Sequence, residues 1–256
     1  ASERGLISDK VEWGDFNEVK QLIEDTAYRR GLGDFLAEGT MRMSFKLKGG
    51  SEKWAMHVKG LEISAYNCHT APGMALAYGT SPIGAHHKDA WIIAYEVKSD
   101  RMSYSESKVA KLIELQRIRG GIFESITTCR FPWIELGLSL DYYSKLLTHA
   151  TGITYSLEDL YIVADRIYTL IRALWIREIG GWSTLADYPP ARWFEEPLNK
   201  GPYAGHKLDL EGYSRMLAAY YDHRGWDERG VPTKGTLAKL GLNYVASELE
   251  KYIELK

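Results

Sequence analysis

Apolar residues recur at helical spacing along most of the chain, and strand-like alternation is scarce. Phe16, Val19, Leu22, Ile23 and Ala27 lie between Asp15, which can cap a helix, and Gly31, which can stop one, so a helix is predicted over 15–30. A second is predicted over 34–48, closed by Gly49-Gly50. A third covers 105–123, with Val109, Leu112, Ile113, Leu115 and Ile118 on one face and Gly120-Gly121 weakening its end. The clearest is 157–179, where Leu160, Val163, Ala164, Ile167, Leu170, Ile171, Leu174 and Trp175 form a stripe behind a weak Ser156/Asp159 capping box. Further helices are expected over 139–150, 211–223, 233–240 and 245–252. The run 91–95 fits a short strand and a buried helix equally well. Residues 124–133 read as irregular, and 188–203 as a Pro-rich surface crossing. These elements predict a mainly α chain of two interdigitated helical domains. No composition shift marks a boundary, so 1–256 is treated as one unit, with residue 100 the place for any subdivision.

One stretch breaks the pattern. Residues 59–91 are irregular, with a short helix expected over 74–78. Tyr66, Cys68, His69, Tyr78, His86, His87 and Lys88 stand there among Pro72, Gly73, Gly79, Thr80, Ser81, Pro82 and Gly84. Glycine and proline set special backbone angles, while the polar groups can titrate, ligate or donate. The stretch reads as a buried-site segment; the bland alternative is a surface loop with incidental histidines.

Composition narrows the class. Of 256 residues, 45% are apolar and 26% charged, an ordinary globular balance. The net charge of -2 leaves no basic footprint for nucleic acid. No apolar run has the length of a membrane span, and 1–13 lack a signal-peptide pattern. Their mixed character suggests a chain that starts mid-fold. Two cysteines, Cys68 and Cys129, are too few for a disulfide framework, and cytoplasm is the default compartment.

Histidine serves as acid, base or ligand near neutral pH. Adjacent residues point apart in regular structure, so at most one of His86 and His87 should face a given site. Tyr66 could donate to a carbonyl oxygen, and Lys88 could neutralise an anion. Cys129, flanked by Arg130 at a Thr-rich turn, suits a metal ligand, although a buried, inert cysteine is commoner. Arg119 and Glu124 could grip a polar cofactor edge or pair with each other.

The runs VKGLEISAYNCH, MALAYGTSPIGAHHKDAW, LQRIRGGIFESITTCRFPW, GLSLDYYSKLL and YYDHRGWDERGVPTKGTLAKLGL carry a resemblance over essentially the whole chain. They resemble the tungsten-dependent aldehyde ferredoxin oxidoreductases, nearest the formaldehyde branch. The resemblance implies domains 2 and 3 of that fold, with the family's N-terminal β domain and its Cys-x-x-Cys-x-x-x-Cys run absent. It implies a tungsten bis-pterin cofactor (a tungstopterin) and a [4Fe–4S] cluster, oxidation of small aldehydes to carboxylic acids, and ferredoxin as electron acceptor. It implies Cys129 as the fourth cluster ligand, Arg119, Glu124 and Arg130 as pterin contacts, and His87 and Tyr66 at the chemistry. The family's Asp-x-x-Gly-Leu-Cys motif reads here Glu124-Ser-Ile-Thr-Thr-Cys129, with Glu for Asp and Thr127 for Gly. The missing N-terminal portion would supply the other cluster ligands and an active-site glutamate, so this chain alone would be inactive and would expose apolar surface. The resemblance leaves a homo-oligomer open. Two other readings stand beside it. One is a non-catalytic helical assembly subunit that kept the fold without cofactor. The other is a small independent metalloenzyme built on Cys68, His69, His86 and His87.

Overall fold

The computed structural model describes residues 1–8 and 11–256. The chain opens with helices α1 (Phe16–Ala27), α2 (Leu32–Leu36) and α3 (Gly39–Leu47). Asp15 caps α1, its carboxylate accepting from the Glu18 amide at 3.0 Å. The single helix predicted over 34–48 is interrupted ahead of Gly39, whose φ of 76° is left-handed. The apolar face of α1 is real but uncovered: Phe16 is 75% and Ile23 66% exposed, and the helix buries no residue.

The irregular segment contains more order than its composition suggests. Strands β1 (His57–Val58) and β2 (Leu61–Glu62) pair antiparallel. Their two-residue turn has φ of 51° at Lys59 and 86° at Gly60, the positive pair that suits a tight hairpin. Helix α4 runs Pro72–Thr80, longer at both ends than the pattern implied, and every residue in it is buried. A helix apolar all round belongs in the middle of a core. Its N-terminus is closed by Glu96, whose carboxylate accepts from the amides of Gly73 at 2.7 Å and Met74 at 2.9 Å. Buried Lys108 pairs with that carboxylate at 3.2 Å.

The ambiguous run after Trp91 is helical, as α5 (Ile93–Lys98). Helix α6 (Glu106–Gln116) does not weaken at its glycines. It passes into a π-helical turn over Arg117–Ile122 and then into α7 (Phe123–Ser125). The glycines are there for contact. A Cβ at Gly121 would lie 2.2 Å from the Ala164 Cβ, and one at Gly120 would lie 2.2 Å from the Tyr168 hydroxyl. The stretch expected to be irregular also holds α8 (Phe131–Leu136).

After α9 (Asp141–Thr151) comes α10 (Leu157–Ile179), with Ser156 and Asp159 forming a full reciprocal capping box. The Pro-rich crossing carries the short helix α11 (Arg192–Glu195), whose Trp193 is buried rather than at the surface. Helices α12 (Leu210–Arg224), α13 (Lys234–Lys239) and α14 (Asn243–Leu249) complete the chain. Among the described residues the two short strands form the only sheet, and no helix is long and apolar enough to cross a membrane.

Buried side chains form three clusters. The largest joins α4, α5 and α6 to Trp193 and α12, through Leu76, Tyr78, Leu112, Met216 and Tyr220. A second gathers the end of α10 with α13 and α14. A third sets Ile118, Ile122 and Phe123 against Tyr143 and Leu160. Segments distant in sequence share each core, which is the interdigitation expected from the pattern.

Two substitutions test this packing. Gly121→Ala forces a methyl into the contact with α10, and we expect a loss of about 1–3 kcal/mol in denaturant unfolding, the usual cost of overpacking. Glu96→Gln keeps the shape but leaves the Lys108 ammonium buried without a counter-charge, and about 3–5 kcal/mol should be lost in the same measurement.

Candidate active site

The loop after the hairpin, the loop before α5, the π-helical turn, and α8 with the turn before it converge on one cleft of about 720 Å³. Tyr66, His87, Arg119, Glu124, Cys129 and Arg130 all line it, together with Lys88 and Trp91. The six residues to which the resemblance assigns roles thus lie around a single space, although 64 positions separate Tyr66 from Arg130.

His87 stands closest to Tyr66, their ring centroids 5.4 Å apart. Its Nδ1 meets the Ser64 hydroxyl at 2.9 Å, so Nε2 is the nitrogen left to a guest. Burial lowers the His87 pKa, and Arg119, Arg130 and Lys88 lower it further. His86 does not line the cleft, as expected for an adjacent pair. Burial and the Lys88 charge push its pKa down to about 4. Tyr66 accepts a hydrogen bond from the Trp91 indole at 3.0 Å, which leaves its own phenol proton to be donated elsewhere.

The cationic wall is organised by one carbonyl. Arg119 Nε donates to the Lys88 carbonyl oxygen at 2.7 Å, and Arg130 Nη1 donates to the same oxygen at 2.8 Å. Glu124 Oε1 bridges Arg130 and Lys88, each at 3.2 Å. The sequence left open whether Arg119 pairs with Glu124; in the structure Arg130 takes that place. Burial and Arg130 lower the Arg119 pKa to about 10, which still leaves it charged at neutral pH.

Cys129 is exposed and unpaired, while Cys68 is buried. The buried, inert outcome therefore falls to Cys68, whose thiol burial pushes well above its ordinary pKa. The turn that presents Cys129 is a helix C-cap. The Thr128 amide donates to the Phe123 carbonyl at 3.0 Å and the Thr127 amide to the Glu124 carbonyl at 3.3 Å, with Thr127 at φ 51°. That is the bond pattern in which glycine ordinarily occupies the left-handed position. The glycine-to-threonine departure in the motif therefore falls on a strained residue, while the turn keeps its form. Trp91, at φ 33°, is a second strained residue on the cleft wall.

Sequence reasoning passed over Ser64, Trp91 and Asp89, although all three lie in the 59–91 stretch. Asp89 is buried behind the wall, accepts from the Tyr168 hydroxyl at 3.0 Å, and is pushed by burial up to about pKa 7. Only Trp91, an apolar side chain with a polar tip in a glycine-rich run, offered a signal.

The independent-metalloenzyme reading loses its ligands. Cys68 lies in the apolar core. The His69 ring is held by Asn67 and by the Glu196 carbonyl at 2.7 Å. Among the described residues no group of three or more His, Cys, Asp or Glu side chains is placed to hold a metal.

Comparison with known proteins agrees with this picture. The chain is 33% identical over 252 residues to a tungsten-containing aldehyde ferredoxin oxidoreductase of Pyrococcus furiosus, covering 94% of this chain and 40% of that protein. It is 32% identical to the protein of the same name from Thermococcus kodakarensis, with the same coverage. The chain thus spans about two fifths of the length of these relatives. Among solved structures, the active site complex BamBC of benzoyl coenzyme A reductase superposes with a TM-score of 0.69 at 22% identity, over 98% of this chain and 43% of that one, a likeness of fold. Residues 1–242 match the family model described as aldehyde ferredoxin oxidoreductase, domains 2 & 3, and the chain belongs to that family.

Proposed function

We propose that this chain forms one wall of an aldehyde-oxidising site and supplies one ligand to an iron–sulfur cluster. The observation that carries the reading is the convergence of Tyr66, His87, Arg119, Glu124, Cys129 and Arg130 on one cleft. The residues fit the cofactors the family resemblance implies. A tungsten-bound pterin presents hydrogen-bonding ring edges and phosphate, and a wall of Lys88, Arg119 and Arg130 with the Glu124 carboxylate offers both donors and an acceptor. A [4Fe–4S] cluster needs soft thiolates, and Cys129 is an exposed, unpaired thiol on the same cleft. It is one ligand of four. Cys68 is buried in the core, so the other three would come from outside this chain.

When bound, the tungsten–pterin group would supply the redox chemistry. The overall change is aldehyde plus water to carboxylic acid, two protons and two electrons, with ferredoxin as acceptor and the cytoplasm as the setting. This chain's residues would position and protonate. Tyr66, with its oxygen occupied by Trp91, directs its proton at the substrate carbonyl oxygen. His87, its pKa lowered by burial and further by its cationic neighbours, and oriented by Ser64, presents Nε2 to accept or return a proton. Arg119 and Arg130, fixed on the Lys88 carbonyl, would hold the cofactor edge, with Glu124 beside them. Formaldehyde or another small aldehyde as substrate rests on the sequence resemblance, with Tyr66 and His87 lying side by side on the cleft.

In the complete enzyme, Cys129→Ala should remove the cluster, read as loss of iron per protein. Unchanged iron content would take Cys129 out of the ligand set, while a wild-type protein without iron or tungsten would favour the cofactor-free assembly subunit. His87→Ala should lower kcat about 10²–10⁴-fold, the usual worth of a positioned acid–base group, with tungsten content kept. The pH profile adds a sign. His87 titrates below the ordinary histidine value, so activity that needs the neutral ring persists as pH falls past 6.5 and is lost only lower. An acid limb above 6.5 would assign it to another group.

A further inference from the structure

Tyr66 lines two spaces at once. One is the cleft; the other is a separate pocket of about 310 Å³, in which Met56, Trp193 and Leu198 stand beside Asn67 and Arg192. No other residue lines both, so the Tyr66 ring is the wall where the two meet. The second pocket has the volume of a small ligand site and an apolar side able to take a hydrocarbon chain. None of the roles given to the cleft residues uses it.

The wall is held from both sides. On the cleft side the Tyr66 oxygen accepts from the Trp91 indole at 3.0 Å, and the ring stands 5.4 Å from His87 between centroids. On the other side, three residues on, His69 donates from Nε2 to the Glu196 carbonyl at 2.7 Å, which ties the loop carrying Tyr66 to the end of α11. Helix α11 is in turn anchored by Trp193, which is buried in the largest core cluster. Swinging the ring aside would break the bond to Trp91. A chain extending from a carbonyl at Tyr66 and His87 toward the second pocket therefore meets a fixed ring.

Taking the cleft as the aldehyde site proposed above, we infer that the Tyr66 ring sets chain length: it admits short aldehydes and keeps the alkyl tail of longer ones out of the pocket beside α11. Hydroxyl and ring then have separable duties. The hydroxyl serves the carbonyl oxygen, and the bulk of the ring closes the second pocket. A single methylene that gains a place in an apolar pocket changes kcat/KM about 10–200-fold, so removing the wall has a measurable sign.

The test uses the complete enzyme, with kcat/KM measured for octanal and for acetaldehyde. Tyr66→Ala joins the two spaces; turnover falls on both substrates, but the octanal-to-acetaldehyde ratio should rise at least about tenfold. Tyr66→Phe keeps the ring, so turnover should fall while the ratio stays at the wild-type value. Adding Leu198→Trp to Tyr66→Ala fills the second pocket and should cancel the gain. A ratio unmoved in Tyr66→Ala, raised equally in Tyr66→Phe, or still raised with Leu198→Trp present overturns the inference. Calorimetric binding of the product acids, octanoate and acetate, to the same variants needs no turnover and so separates this inference from the reading of the site. An enzyme that oxidises neither aldehyde ends that reading, while Tyr66→Ala that gains no preference for octanoate ends the role given to the ring.

Discussion

The carboxylate of Asp187 is the point on which the fold closes. It is fully buried and meets Arg172 of α10, Lys59 of the hairpin and the hydroxyl of Tyr221 in α12, while its carbonyl accepts from Tyr213. Burial alone would raise the carboxyl's pKa; Arg172 and Lys59 outweigh it and hold the group ionised. One anion therefore ties together four stretches scattered over more than 160 residues of sequence. Buried pairs of this kind add little net stability over an apolar core, but breaking one is expensive.

That constraint reaches the cleft through short connections. Lys59 heads the segment that ends at Trp91, so fixing its ammonium fixes where Tyr66 and His87 begin their approach. From the other side, Arg224 bonds Gln116 at 2.7 Å and Asp165 at 2.9 Å, and Arg117 takes the same Asp165 at 2.8 Å. These bonds pin both sides of the junction where α6 becomes the π-helical turn. A π turn shifts the register of side chains relative to a continued α-helix. Here it lets Arg117 face Asp165 while Arg119, two residues on, reaches the Lys88 carbonyl in the cleft.

The elements that were legible in the sequence are those whose stability is local. The capping box of α10, the Asp15 cap and the stop glycines all act within a few residues, and helices appeared where they point. What could not be read depends on partners far away. Gly120 and Gly121 look like helix breakers until Tyr168 and Ala164 stand against them. Helix α4 has no polar face to betray its period, because it is buried on every side. Trp193 sits in a run whose prolines suggest the surface, yet it packs on Tyr78 at 5.9 Å between centroids. The cleft residues were found by resemblance over long runs. Residue chemistry alone left each of them with an equally good bland role, and Arg119 meeting a backbone carbonyl rather than Glu124 is a choice no pattern encodes.

Part of the apolar surface stays uncovered next to the cleft. The apolar face of α1 is well formed and unburied, and Phe131, which lines the cleft with Cys129, is 61% exposed. Exposed apolar side chains occur along the whole chain, and those of α1 and of Phe131 are among them. On the reading proposed above, a cofactor site with one cysteine and one cationic wall would be half of an enclosure. On that reading, the exposure that leaves the Cys129 thiol free for a ligand also calls for a second wall to keep water from the chemistry. The arrangement therefore makes sense as a surface built to be covered, with the polar interior of the cleft and its apolar margin serving the same closure.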